Sequence, residues 1–176
     1  MYQVLKKIKE AGKMVSFFND TENDDRFGVG FILALNQEEL LIESISPNGE
    51  YDGYMWLGMQ TIFQCNFDGE YEKKIMDLHH VCERQELDLP DKEIRKYFLD
   101  DSMSKKRVVE IVYLSKIISG YVLGYTDEVI AIREINQYGK EVERACIRME
   151  WIDEIHMDTI TCRETEKLIK INQNQS

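Results

Sequence analysis

Gly30-Phe31-Ile32-Leu33-Ala34-Leu35-Asn36-Gln37-Glu38-Glu39-Leu40-Leu41-Ile42-Glu43-Ser44-Ile45 decides the fold, because the chain returns to it 90 residues later as Gly120-Tyr121-Val122-Leu123-Gly124-Tyr125-Thr126-Asp127-Glu128-Val129-Ile130-Ala131-Ile132-Arg133-Glu134-Ile135. The register extends from residue 30 to residue 78, with 10 identities over 49 ungapped positions. Gly49 meets Gly139, Met59 meets Met149, Ile62 meets Ile152, Asp68 meets Asp158 and Leu78 meets Leu168. Glycines and apolar positions held in one register describe a structural unit used twice.

Working outward, each copy reads as a helix followed by short strands. In the second copy, Asp91 to Asp101 reads as a helix with Ile94, Tyr97 and Phe98 at helical spacing. β-Branched and alternating runs then predict strands at Arg107–Leu114, Ile117–Tyr125, Val129–Ile135, Val142–Met149 and Ile152–Met157. The break at Glu150-Trp151 reads as too tight for a helix, and the residues after Met157 as a C-terminal tail. The first copy predicts a helix over Tyr2–Ala11 with Val4, Leu5 and Ile8 on one face. Its strands fall near Met14–Phe18, Phe27–Leu35, Leu40–Ile45, Tyr51–Leu57 and Thr61–Asn66. Ser46-Pro47-Asn48-Gly49 and Asn136-Gln137-Tyr138-Gly139 supply equivalent turns. An insertion, Asn19 to Asp25, separates the first two strands, and a further helix is expected over Glu70–Gln85. Leu89-Pro90 breaks the chain, which places the domains at 1–88 and 89–176. Five short strands must curl to bury one apolar face, so the expected fold is mainly β with helices: two tandem five-stranded SH3-like barrels, each preceded by a helix.

Composition limits the function classes. The 176 residues carry 33 acidic and 22 basic side chains, a formal net charge of -11. Residues 1–88 hold 17 acidic and 8 basic groups, and residues 89–176 hold 16 and 14, so nearly all the excess is in the first copy. Such a surface repels phosphate backbones and steers basic partners. No apolar run is long enough for a membrane-spanning helix, and the amino-terminal residues lack a secretion signal, which predicts a cytoplasmic protein away from membranes. Cys65, Cys82, Cys146 and Cys162 show no Cys-x-x-Cys spacing and are expected as free thiols. His79-His80-Val81-Cys82 has a metal-like spacing but lacks further ligands nearby, so neither a metal nor a cofactor is expected. His79, His80 and His156 have no nucleophile in a recognisable motif, and no Gly-rich phosphate loop is present, which predicts a non-enzyme.

The second copy resembles the Sm-like (LSm) family over residues 91–158, and the first copy resembles it more weakly over 1–67. Gly120 stands in the second strand, Asp127-Glu128-Val129-Ile130 occupies the position of the family's Asp-x-apolar-Asn turn, and Ile147-Arg148-Met149 matches its apolar-Arg-Gly motif. The resemblance implies a small barrel whose open edges pair into rings. It also implies a base pocket built from the turn and the Arg-Gly pair. Ile130 replaces the family's asparagine and Met149 its glycine, which removes polar groups a base edge requires. Of that pocket Asp127 and Arg148 persist, and Lys105, Lys106 and Arg107 form the one dense basic run that could touch phosphate. A separate interaction surface is expected from Asp20, Glu22, Asp24 and Asp25 together with the aromatics Tyr51, Tyr54 and Trp56. The leading expectation is a non-enzymatic interaction or scaffolding protein with an unidentified protein partner, forming a homo-oligomer through barrel edge strands. The alternatives are an RNA-binding regulator with a degenerate pocket and an acidic immunity or inhibitor protein that neutralises a basic partner.

Overall fold

The computed structural model describes residues 1–21, 27–79 and 93–174. The chain divides into two compact units, Met1–Arg95 and Lys96–Ser176. The boundary expected at 88/89 lies outside the described residues, as do Glu22, Asp24, Asp25, His80, Cys82 and Asp91. The protein is mainly β, with four helices among the described residues.

The first unit runs α1 (Tyr2–Glu10), β1 (Met14–Phe18), β2 (Gly28–Leu35), β3 (Glu39–Ile45), β4 (Tyr51–Gly58), β5 (Gln64–Phe67) and α2 (Glu70–Leu78). Its strands are antiparallel in the order β5-β1-β2-β3-β4. The second unit begins with α3 (Ile94–Ser104), which straddles the division between the units. It continues with β6 (Val108–Tyr113), β7 (Lys116–Tyr125), β8 (Val129–Ile135), β9 (Glu141–Arg148), β10 (Ile152–Met157) and α4 (Ile160–Asn174). Its strand order, β10-β6-β7-β8-β9, repeats that of the first unit.

The two ladders match to the irregularity. A bulge falls between Ile32 and Ala34 on β2 and between Val122 and Gly124 on β7. A second falls between Glu43 and Ile45 on β3 and between Arg133 and Ile135 on β8. Such kinks bend strands and let a small sheet curl. Before the first hairpin the offset changes. Val15 pairs with Gly30 and Val109 with Gly120, so β1 and β6 correspond at 94 positions and β2 and β7 at 90. The first copy therefore carries four more residues in that loop.

Gly30 and Gly120 share a steric cause. A Cβ on Gly30 would lie 1.9 Å from the Glu43 carbonyl oxygen, and one on Gly120 2.0 Å from that of Arg133. Helix ends are matched as well. After α1, Gly12 at φ 60° lets Gly12 N–H donate to the Lys9 carbonyl (2.9 Å) and Lys13 N–H to the Ile8 carbonyl (3.1 Å). After α3, Lys106 takes φ 50°; Lys106 N–H donates to Met103 (3.2 Å) and Arg107 N–H to Ser102 (2.8 Å). Both are Schellman caps, and only the first uses glycine.

The first unit's main core gathers Leu5 and Ile8 of α1 with Val15, Phe17, Ile32, Leu40, Ile42, Met55 and Leu57. Val4, expected on that face, is 44% exposed, because Leu5 and Ile8 alone define the buried stripe. A satellite core lies under the following helix. It comprises Met14, Val29, Ile45 and Ile75 in the first unit, and Val108, Ile135, Cys162 and Ile169 in the second. Accordingly, α2 packs on β1 and α4 on β6.

Three local expectations need correction. The C-terminal segment is a helix, not a tail: Cys162, Thr165 and Ile169 form its buried face, and the Cys162 N–H donates to the Thr159 hydroxyl at 3.1 Å as an N-cap. Met149–Trp151 and Met59–Thr61 each make one turn of 3-10 helix, which needs fewer residues than an α-helical turn. The helix expected over Glu70–Gln85 ends at Leu78, where His79 turns extended (ψ 117°).

Candidate functional site

The two segments that carry the family resemblance meet in the second unit. Thr126 Oγ1 accepts from the N–H groups of Glu128 and Val129, both at 3.2 Å, and so shapes the β7–β8 turn. The Met149 N–H then donates to the Glu128 carbonyl at 2.8 Å, which seats the β9–β10 turn against it. The first unit repeats this with the Asn36 side chain at 2.8 Å from each N–H, and Met59 N–H on Glu38 at 2.8 Å. Backbone geometry thus brings Asp127 and Arg148 to one end of the unit.

Their side chains do not form a joint site. Asp127 is exposed and has no ion pair among the described residues, while Arg148 donates to Glu150 at 3.3 Å and is 73% exposed. Ile130 and Met149 are buried. The basic run sits at the α3–β6 junction. Lys105 pairs with Asp101 at 2.5 Å and Arg107 is buried 3.7 Å from the same carboxylate, leaving Lys106 exposed in the cap. Arg107 precedes β6 and Arg148 ends β9, so they share an end of the strand set but are separated by two intervening strands, β7 and β8.

The proposed interaction surface is only partly presented. Tyr54 is 1% exposed and Trp56 4% exposed, with the Arg95 guanidinium 5.5 Å over the Trp56 ring. Tyr51 is half-buried and meets Tyr54 edge-on, with ring centroids 5.6 Å apart. Asp20 is half-buried. Glu22, Asp24 and Asp25 cannot be placed, being outside the described residues.

The strands equivalent to one another differ sharply in exposure. β4 is buried from Gly53 to Gly58. β9, the last strand in its unit's order, exposes Glu141, Val142, Glu143, Arg144 and Cys146. Consecutive exposed residues mean that both faces of this edge strand meet solvent.

Behind α2 and α4 each unit sets an acid between strand and helix, Glu72 buried and Glu110 half-buried, but from opposite sides. In the first, the Ser16 hydroxyl of β1 donates to Glu72 of α2, which also accepts from the Gly69 N–H at 3.0 Å. In the second, Glu110 of β6 accepts from Thr159 Oγ1 at 3.0 Å and from Cys162 Sγ at 3.7 Å. Ser16 corresponds to Glu110 by strand register and Glu72 to Cys162 by the 90-residue offset, so the carboxylate has changed sides. Burial first, and then the Glu110 carboxylate, push the Cys162 thiol up to about 12. It is a protonated donor at neutral pH and not a nucleophile. Cys65 is also raised, by burial.

One further feature escaped the sequence reading. Arg133 of β8 lies 5.4 Å over the Tyr121 ring, beside a cleft of about 540 Å³ under the end of α4. Its signal was the mismatch of Arg133 with Glu43 in an otherwise matched register. Among the described residues no cluster of three potential metal ligands occurs, and no helix is long and apolar enough to cross a membrane. Compared with known proteins, the chain matches no family model, no curated protein and no solved structure.

Proposed function

We propose that the protein is a non-enzymatic interaction or scaffolding protein, that its units are Sm-like small barrels, and that it self-associates through β9. The barrel reading is supported by the repeated 5-1-2-3-4 order of strands, the paired bulges and the strand-two glycine forced by close backbone approach. The exposed β9 carries the functional reading. An edge strand offers a row of backbone donors and acceptors to another strand, and Val142, 54% exposed, adds apolar area to it. Natural edges that stay alone carry charges or proline; β9 holds no proline, although Glu141, Glu143, Arg144 and Arg148 put charge of both signs along it.

Sedimentation velocity between 1 and 100 µM tests this. The expected result is a concentration-dependent oligomer that Val142→Lys returns to monomer, because the lysine puts charge on the docking edge. A strict monomer throughout that range rejects the reading. RNA binding has less behind it, since Arg148 is paired to Glu150 and Ile130 is buried. The inhibitor reading rests on Asp20, Glu22, Asp24 and Asp25, of which Asp20 alone lies among the described residues.

A further inference from the structure

The cleft in the second unit lies between the β7–β9 strands and the end of α4. Tyr121, Ile135 and Ile169 supply its apolar lining, and Arg133, Lys140 and Glu141 its charges. Its size, about 540 Å³, is that of a small-molecule site. Arg133 is the unusual member. Its Nε is buried and has no acceptor among the described residues, and its Nη1 lies 3.8 Å from Glu141, beyond a good hydrogen bond. A buried guanidinium N–H with no acceptor is costly, and guanidinium can only donate. Glu141 is shared between Arg133 at Oε2 and Arg144 at Oε1, neither within hydrogen-bond distance, and the Arg133 side chain is 39% exposed, so the guanidinium is accessible beyond its buried Nε.

Among the described residues, the first unit holds a different set of contacts at the same location. Phe31 stands for Tyr121 and Glu43 for Arg133, while His79 stands for Ile169. The His79 ring packs on Phe31 at 5.6 Å, and its Nδ1 is 3.0 Å from the Gly49 carbonyl. In the second unit Ile169 has no polar group to offer, and the cation over Tyr121 takes the corresponding place.

We propose that this cleft binds a small monocarboxylate with an apolar or aromatic body. The carboxylate accepts from Arg133, with Lys140 as a second cation at the rim, and the body lies against Tyr121, Ile135 and Ile169. Two cations against one acid favour an anion over a neutral ligand, and the apolar lining favours an organic anion over phosphate.

The probe is naphthalene-1-acetate, compared with naphthalene-1-acetamide, which keeps its shape and loses its charge. Binding to the full chain is followed by amide chemical-shift titration. The acid is expected to bind at least tenfold more tightly than the amide, with the largest shifts at residues 121, 133, 139–141 and 169. Arg133→Gln is expected to abolish the tenfold preference, and Glu141→Gln to strengthen acid binding. Equal binding of acid and amide, no binding of either at 5 mM, or an unchanged preference in Arg133→Gln overturns the proposal. Because Arg133→Gln could unsettle β8, Lys140→Gln on the exposed turn is the second variant; it is expected to weaken the acid alone, and an unchanged acid affinity counts against the site. Because Glu141 belongs to both β9 and the cleft, the titration is run in the Val142→Lys background, which keeps its outcome separate from that of the self-association test.

Discussion

The reversed carboxylate offers a sharp test of the correspondence between the two units. Ser16 is 1% exposed and Glu72 5% exposed, and they share a hydrogen bond. Ser16→Glu puts a second carboxylate against the first in a dry site. At about 4 Å and an effective dielectric near 20, the repulsion is about 4 kcal/mol, unless one acid takes up a proton. Glu72→Cys alone orphans the Ser16 hydroxyl and removes the acceptor from the Gly69 N–H, a cost of about 1–3 kcal/mol. The double variant recreates the arrangement of Glu110 and Cys162, so it should recover at least about 2 kcal/mol relative to the sum of the singles. The assay is a double-mutant cycle by urea unfolding, in a Trp151→Phe background. That background leaves buried Trp56 as the sole tryptophan, reporting on the first unit. Adding Gly69→Thr, to copy Thr159, should raise the recovery further, because the hydroxyl donates to the transplanted acid. If the single effects add to within about 0.5 kcal/mol, the two sites are not equivalent and the correspondence between strand and helix positions fails.

Gly120→Ala should destabilise the second unit by about 3 kcal/mol, measured by urea unfolding, because its Cβ would meet the Arg133 carbonyl at 2.0 Å; Gly124→Ala, with open space around it, is the control. Lys106→Gly should stabilise by about 0.5–1 kcal/mol in thermal melts, since Lys106 holds φ 50°, while Gly12→Ala at the equivalent cap should cost about 1 kcal/mol. Cys162 should make stability fall as pH rises. Its thiol begins to ionise near 9 when unfolded but only near 12 when folded, so the unfolded state is favoured by about 1.4 kcal/mol per pH unit across that window. Cys162→Ala should flatten that slope in urea midpoints taken from pH 8.5 to 10.5, and an unchanged slope would contradict the buried protonated thiol.

Much of this architecture was legible in one sequence because the chain supplies its own comparison. The 90-residue register marked Gly30 and Gly120 before their steric reason was visible, whereas the matching bulges at Ile32/Ala34 and Val122/Gly124 emerged only from the strand pairing. α4 was missed because its buried face is Cys162, Thr165 and Ile169, too weak an apolar stripe beside Glu164, Glu166, Lys167 and Lys170. The burial of Trp56 was also out of reach. Alternation assigns residues to faces of a strand, but it does not say which faces are covered, and β4 is covered on both.

The differences between the copies are of two kinds, and only one kind points to function. At Asn36 and Thr126, and again at Ser46 and Asn136, different side chains accept from the same backbone N–H groups, so the turns are unchanged. The exchange of Ser16 and Glu72 for Glu110 and Cys162 likewise preserves one acid with a donor facing it. These substitutions cancel. The changes from Glu43 to Arg133 and from His79 to Ile169 do not cancel: they replace the His79–Phe31 ring contact with a cleft and a guanidinium whose Nε has no acceptor among the described residues. β4 is buried where its counterpart β9 is exposed. The reverse difference separates β5, exposed at Gln64, Asn66 and Phe67, from its largely buried counterpart β10. Each unit therefore has an exposed strand at one end of its order, and the Arg133–Tyr121 contact is the uncompensated change that belongs to the second copy alone.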